Sequence, residues 1–163
     1  MSALWIAIRV TGLVSYAALT LGMMFGVMLS GRGLHVPTLH ELHRSWTMVA
    51  LGFGVLHGAL LAVTEAKLLL DGEIAVGGLA LMIVGGLVAA TTLRQYIGVA
   101  AWRALHTLAF AAWVLAAGHM VWAGSDLQQP VTFTLAYGSI AAFLGAFLLR
   151  VGAAVWARKV ASA

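Results

Sequence analysis

The chain has 163 residues, of which 63% are hydrophobic and only 9% are charged, and its mean hydropathy is +1.02. A soluble domain of this length cannot bury so much apolar surface, because a large share of its residues must stay at the surface. Composition therefore excludes a soluble enzyme and a disordered protein. It also excludes a nucleic-acid binder, since the net charge of +4 comes from basic residues scattered between apolar runs.

Five apolar segments reach the roughly 20 residues needed to cross a bilayer. In chain order they are predicted at about 3–29, 39–64, 74–93, 101–124 and 131–157. The first is not a cleavable signal, because it lacks a basic start and its apolar run is too long. The sequence thus predicts an all-α integral membrane protein, a bundle of about five transmembrane helices in a single domain over residues 1–163.

The charged residues predict the orientation of the bundle. Basic residues flank the first and third connections and close the chain: Arg32, Arg44, Arg94, Arg103, Arg158 and Lys159. Acidic residues occupy the second and fourth connections: Glu65, Asp71, Glu73 and Asp126. Because basic loops stay cytoplasmic, we expect the N-terminus outside and the C-terminus inside.

The chemistry-bearing residues are histidines, because the chain has no Cys and metal chemistry must use His, carboxylate or Met. His43 and His57 lie in the second segment, and His106 and His119 lie in the fourth. These two segments cross the membrane in the same direction, so His43 should be level with His106 and His57 with His119. Imidazole inside a membrane is costly without a partner and usually marks function.

Two level-matched histidine pairs favour two haems, each with two axial imidazoles. One such histidine alone would be explained by a hydrogen bond to a backbone carbonyl. Zinc or copper would need a third or fourth ligand nearby. The 14-residue step from His43 to His57 covers about 21 Å and returns to within about 40° of the same helix face. The 13-residue step from His106 to His119 leaves them about 140° apart, so we expect a tightening or bend near Gly118.

Three arginines are candidates for pairing with haem propionates. Arg9 lies just inside the outer end of the first segment and would serve an outer haem. Arg44 and Arg103 lie at the cytoplasmic level and would serve an inner haem. Snorkelling to lipid headgroups remains the alternative for all three.

Other polar and small residues have less specific interpretations. His40, one turn before His43, is a competing ligand, and His35 is expected in an exposed loop. The four-residue spacing of Gly22 and Gly26 is typical of close helix packing. Tryptophans near the predicted interfaces indicate an aromatic belt: Trp5, Trp46, Trp102, Trp122 and Trp156.

The two histidine pairs and the stretch WRALHTLAFAAWVLAAGH, followed by GSD at Gly124–Asp126, resemble the ferric reductase-like transmembrane domain shared by NADPH oxidases and iron or copper reductases, and small bacterial members in particular. The resemblance covers nearly the whole chain from Arg9 onwards. It implies two b-type haems, an inner one on His43 and His106 and an outer one on His57 and His119. It also implies a bacterial inner-membrane location.

The resemblance further implies transmembrane electron transfer from a cytoplasmic flavoprotein or a quinol to an extracytoplasmic acceptor. Larger members carry a cytoplasmic flavin and nicotinamide domain after the last helix, and we expect none in this protein. We therefore expect an oxidoreductase component that needs a separate donor protein, with FMN or FAD only through that partner. Alternatives are a haem-binding subunit of a methionine sulfoxide reductase-type system, or a non-redox membrane sensor or transporter. Homo-oligomerisation stays open.

Overall fold

The computed structural model describes residues 2–30, 37–64, 71–124 and 128–162, and all regular structure in these stretches is helical. The predictions for Arg32, His35, Glu65 and Asp126 lie outside the described residues. Within them, five helices are long and apolar enough to cross a membrane: Ala3–Leu29, Pro37–Thr64, Gly72–Thr92, Val99–Ala123 and Pro130–Ala161. We refer to them as spans 1 to 5.

The five predicted segments are confirmed as helices. Their ends differ from the prediction by no more than two residues, except at the end of span 5, which continues from the predicted residue 157 to Ala161. Arg158 and Lys159 lie in this added turn, where basic side chains complement the negative end of the helix dipole. Pro37 and Pro130 are each the first residue of a span, where the missing N–H has no helical partner to lose.

The first three spans are single helices and the last two are composite. Spans 1 to 3 are α1 (Ala3–Leu29), α2 (Pro37–Thr64) and α3 (Gly72–Thr92), and the short α4 (Arg94–Ile97) follows. Span 4 consists of α5 (Val99–His106) and α6 (Leu108–Ala123). Span 5 consists of α7 (Pro130–Phe133), a π-helical turn (Thr134–Gly138) and α8 (Ser139–Ala161). Gly98, with φ of 80°, separates α4 from α5 in a conformation that suits glycine.

The helices pack around α1. Its largest interface is with α2, and it also contacts α6 and α8, while α3 packs mainly on α6. Two buried clusters fill the interior: Tyr16, Ala117, Met120 and Ala136 in one, and Met23, Val27, Trp113 and Phe143 in the other. Trp113 lies about midway between His106 and His119 in the chain, so packed side chains occupy the region between the two histidine levels.

Two polar side chains in the buried clusters have hydrogen-bond partners. The Tyr16 hydroxyl is 2.8 Å from Oγ of Ser139, and the Trp113 indole N–H donates to Oγ1 of Thr20 at 3.0 Å. Such pairing is required where no water is available to satisfy a buried donor or acceptor.

The outer surface of the bundle is apolar. Val63 is 87% exposed, Leu149 is 77% exposed and Met82 is 74% exposed. Large apolar side chains exposed along all five spans would form a continuous hydrophobic surface in water. The exposure matches a bilayer environment, where the hydrocarbon covers these side chains.

Candidate paired-histidine sites

The structure brings the four membrane histidines together as two pairs. The ring centres of His43 and His106 are 6.1 Å apart, with 75° between the ring planes. Those of His57 and His119 are 6.3 Å apart, with 67° between the planes. His40, the competing ligand considered from the sequence, is exposed on α2, and the ring facing His106 is that of His43.

A tightened turn at Thr107 lets span 4 present both of its histidines to α2. The amide of Thr107 donates to the carbonyl of Ala104 at 3.3 Å, and the amide of Phe110 donates to the carbonyl of Thr107 at 3.1 Å. These three-residue hydrogen bonds are typical of a 3₁₀ turn, which rotates the chain further per residue than an α-helix. The extra rotation reduces the mismatch expected from the 13-residue spacing. The tightened turn lies at Thr107, whereas Gly118, the position suggested by the sequence, lies within the helix α6.

Three of the four imidazoles are oriented by backbone carbonyls on neighbouring helices. Nδ1 of His43 is 2.7 Å from the carbonyl oxygen of Gly22. Nδ1 of His57 is 2.8 Å from that of Ile8, and Nδ1 of His119 is 2.7 Å from that of Glu73. A carbonyl oxygen only accepts, so each Nδ1 carries the proton and donates. Each Nε2 is thereby left with a lone pair, the arrangement that is typical of a metal-ligating histidine.

A glycine stands four residues after each accepting carbonyl: Gly12 after Ile8, Gly26 after Gly22 and Gly77 after Glu73. A helical side chain covers the turn that precedes it, so a glycine at this position leaves the carbonyl accessible. A Cβ added to Gly77 would lie 2.8 Å from ring atoms of His119. One added to Gly12 would lie 3.0 Å from the ring of His57, and one added to Gly26 would lie 3.2 Å from that of His43. The absence of a side chain at these glycines therefore leaves room for the imidazoles.

The expected role of Gly22 and Gly26 in close helix packing is supported, since a Cβ at either position would meet a residue of α2. At Gly22 a Cβ would meet Oγ1 of Thr47 at 3.1 Å, which is a helix–helix contact between α1 and α2. At Gly26 a Cβ would meet the imidazole of His43, also on α2, at 3.2 Å.

The separation within each pair fits one metal ion between two imidazoles. Two metal–nitrogen bonds of about 2.0 Å and two ring radii of about 1.1 Å place the two ring centres about 6.2 Å apart. Rings joined directly by an N–H···N hydrogen bond of about 3.0 Å would have centres about 5.2 Å apart. Within the part of the chain that the structure describes, no group of three or more His, Cys, Asp or Glu side chains could hold a metal ion. Two imidazoles are the axial ligand set of a haem iron, whose other ligands come from the macrocycle.

Each histidine pair lines a cavity with mostly apolar walls. The His57/His119 cavity has a volume of about 480 Å³, and the His43/His106 cavity has about 330 Å³. Both volumes are within the range of small-molecule and cofactor sites. The His57/His119 cavity is bordered by α1, α2, α3 and α6, and glycines form part of its wall on three of these helices: Gly12, Gly54, Gly58, Gly77 and Gly78.

One arginine lines each of these two cavities. Arg9 borders the His57/His119 cavity, in agreement with its expected position beside an outer cofactor. Arg150 borders the His43/His106 cavity, and its guanidinium donates to the carbonyl of Ser30 at 2.9 Å and to Oγ of Ser30 at 3.3 Å. Sequence reasoning missed Arg150, because nothing in span 5 indicates which of its faces meets span 1.

The expected role of Arg44 and Arg103 beside an inner cofactor is not supported by their positions. Both side chains are exposed, and neither lines the His43/His106 cavity or the His57/His119 cavity. Arg44 follows His43 directly and is therefore rotated by about 100° around the helix from it. Arg103 lies on the exposed side of α5. Their positions agree with the alternative of contact with lipid headgroups.

Comparisons with protein-family models, with curated proteins and with solved structures found no match for this chain. The resemblance drawn from the histidine spacing therefore stays a prediction. The described residues themselves provide two imidazole pairs at two levels of an apolar bundle, each in a cavity that also contains one arginine.

Proposed function

We propose that this chain is a transmembrane electron-transfer cytochrome of the ferric reductase-like type, with one b-type haem at each histidine pair. The observation that carries the proposal is the geometry of the pairs. Their ring centres are 6.1 and 6.3 Å apart, and three of the four rings have Nδ1 engaged by a carbonyl. This arrangement leaves a lone pair on Nε2 of His43, His57 and His119, and the ring-centre separation within each pair suits a single iron.

The protein would hold the haems, orient the imidazoles that bind them and shield both sites from water. The four histidines would hold the haem irons, and the carbonyls of Ile8, Gly22 and Glu73 fix three ring orientations. The apolar walls of the cavities exclude water. Arg9 and Arg150 supply the positive charge that acidic groups of a cofactor need inside a membrane. When bound, the haems supply one-electron carriers at two depths of the bilayer.

The charge distribution supports an inner position for the His43/His106 pair in a bacterial cytoplasmic membrane. Five spans put the termini on opposite sides, and the described basic residues at the His43 end of the bundle include Arg44, Arg94, Arg103, Arg150, Arg158 and Lys159. The described acids near the His119 end include Asp71 and Glu73. With the basic side cytoplasmic, a cytoplasmic flavoprotein or a quinol would deliver electrons at His43/His106, and an extracytoplasmic acceptor would collect them at His57/His119.

Electron transfer across a sealed vesicle tests this function. Purified, haem-loaded protein is reconstituted into liposomes that contain ferricyanide, and dithionite is added outside. We expect reduction of the internal ferricyanide, and a rate lower by about tenfold or more for His57→Ala and for His43→Ala, since loss of a metal-binding group costs at least that much. A wild-type protein with both haems that leaves the internal ferricyanide oxidised would contradict the proposal and favour a non-redox sensor or transporter.

A further inference from the structure

The imidazole of His106 is held differently from the other three. Its Nδ1 is buried and has no hydrogen-bond partner among the described residues, whereas His43, His57 and His119 each donate to a carbonyl. No bond therefore fixes the orientation of this ring or the position of its proton.

An aromatic stack takes the place of that hydrogen bond. The ring of His106 lies against the indole of Trp102, with ring centres 4.9 Å apart and planes only 23° from parallel. Trp102 precedes His106 by four residues on α5, the spacing at which helical side chains lie side by side. The stack restricts the tilt of the imidazole plane.

The indole is itself fixed by two contacts with neighbouring segments. Its N–H donates to Oγ1 of Thr91 near the end of α3, at 3.1 Å. The guanidinium carbon of Arg94, in α4, is 4.6 Å from the centre of the indole ring, within the range of a cation–π interaction. A tryptophan that only anchored the helix at a membrane interface would need neither the stack with His106 nor the contact with Arg94.

We propose that Trp102 is the positioning residue for His106. Fixed by Thr91 and Arg94, it sets the plane of this axial imidazole in the His43/His106 site. The inference rests on the proposed haem ligation. The two sites would then differ in how their imidazoles are oriented. Both imidazoles of the His57/His119 site are oriented by carbonyl hydrogen bonds, whereas one imidazole of the His43/His106 site is oriented by stacking.

The test uses Trp102→Leu, which removes the aromatic face, and Trp102→Phe, which retains one. Both are made in the full chain and in a His57→Ala background, which leaves only the His43/His106 site. The control is Trp156→Leu, since Trp156 is 71% exposed on α8. The readouts are the low-spin ferric EPR signal, which depends on the angle between the two axial imidazole planes, and the rate of haem capture by excess apomyoglobin.

For Trp102→Leu we expect an altered EPR signal and haem capture about tenfold faster from the His43/His106 site, as for loss of a group that orients a metal ligand. Trp102→Phe should restore much of both properties, and Trp156→Leu should leave both unchanged. In a His43→Ala background, the same Trp102→Leu change should leave the His57/His119 signal unaffected.

An unchanged EPR signal and capture rate in Trp102→Leu would overturn the inference. If that variant does not accumulate, Thr91→Val removes the indole's acceptor at nearly constant volume and should shift the same EPR signal, and an unchanged signal there would also overturn it. A wild-type chain that binds no haem would instead refute the proposed function itself.

Discussion

His57→Ala is expected to halve the haem content, from about two per chain to about one, because a single imidazole on His119 cannot supply both axial ligands. The remaining haem should be that of His43 and His106, whose ring centres are 6.1 Å apart and which shares no ligand with the other site. Haem is counted by the pyridine haemochrome spectrum of the purified variant, relative to protein.

His40→Ala is the matched control for this loss. His40 lies on the same helix as His57, is exposed, and does not face a second imidazole. It should leave the haem content unchanged. A His57→Ala protein with undiminished haem would contradict the assignment of His57 as a ligand, and loss of both haems would contradict the independence of the two sites.

Gly77→Ala is expected to remove most of the haem from the His57/His119 site while the chain still folds. The new Cβ would lie 2.8 Å from ring atoms of His119, so the imidazole must move and its bond to the Glu73 carbonyl must break. Loss of such an orienting bond costs about 10- to 100-fold in metal affinity. In a helix, alanine is favoured over glycine by about 1 kcal/mol, which offsets part of the packing strain of about 1–3 kcal/mol. Measuring haem content and thermal unfolding on the same preparation separates the loss of haem from any loss of folding stability.

Gly86→Ala is the control for Gly77→Ala, because it lies on the same helix α3 and an added Cβ there meets nothing within 4 Å. The loss of haem should also be smaller where the added Cβ lies farther from the imidazole. Gly12→Ala, at 3.0 Å, should therefore lose less haem than Gly77→Ala, and Gly26→Ala, at 3.2 Å, should lose least. Equal haem content in Gly77→Ala and Gly86→Ala would show that the glycine does not hold space for His119.

The helices and the histidine levels were predictable because they depend on local sequence alone. An apolar run of about 20 residues predicts a span, and residue counts along two spans that cross in the same direction place His43 beside His106 and His57 beside His119. The counts also indicated that span 4 must deviate from an ideal helix. They did not locate the deviation, because the tightened turn at Thr107 falls at a residue that has no breaker signal of its own.

The groups that support the histidines were not predictable, because they depend on which faces of different helices meet. Nothing near Ile8 or Glu73 in the sequence indicates that its carbonyl receives an imidazole from another span. The position of Arg44 and Arg103 at the cytoplasmic level predicts a role beside the inner site, whereas Arg150 reaches the cavity from span 5. The pattern shared by these sites is a glycine four residues after the carbonyl that accepts from a histidine. It can be recognised only when the packing of the helices is known.

The pyridine haemochrome spectrum of the wild-type protein, purified from haem-replete cells, tests the central claim most directly. Two imidazole pairs with ring centres 6.1 and 6.3 Å apart predict a b-type spectrum with close to two haems per chain. A colourless protein, or one that binds no more than a single haem at saturation, would contradict it.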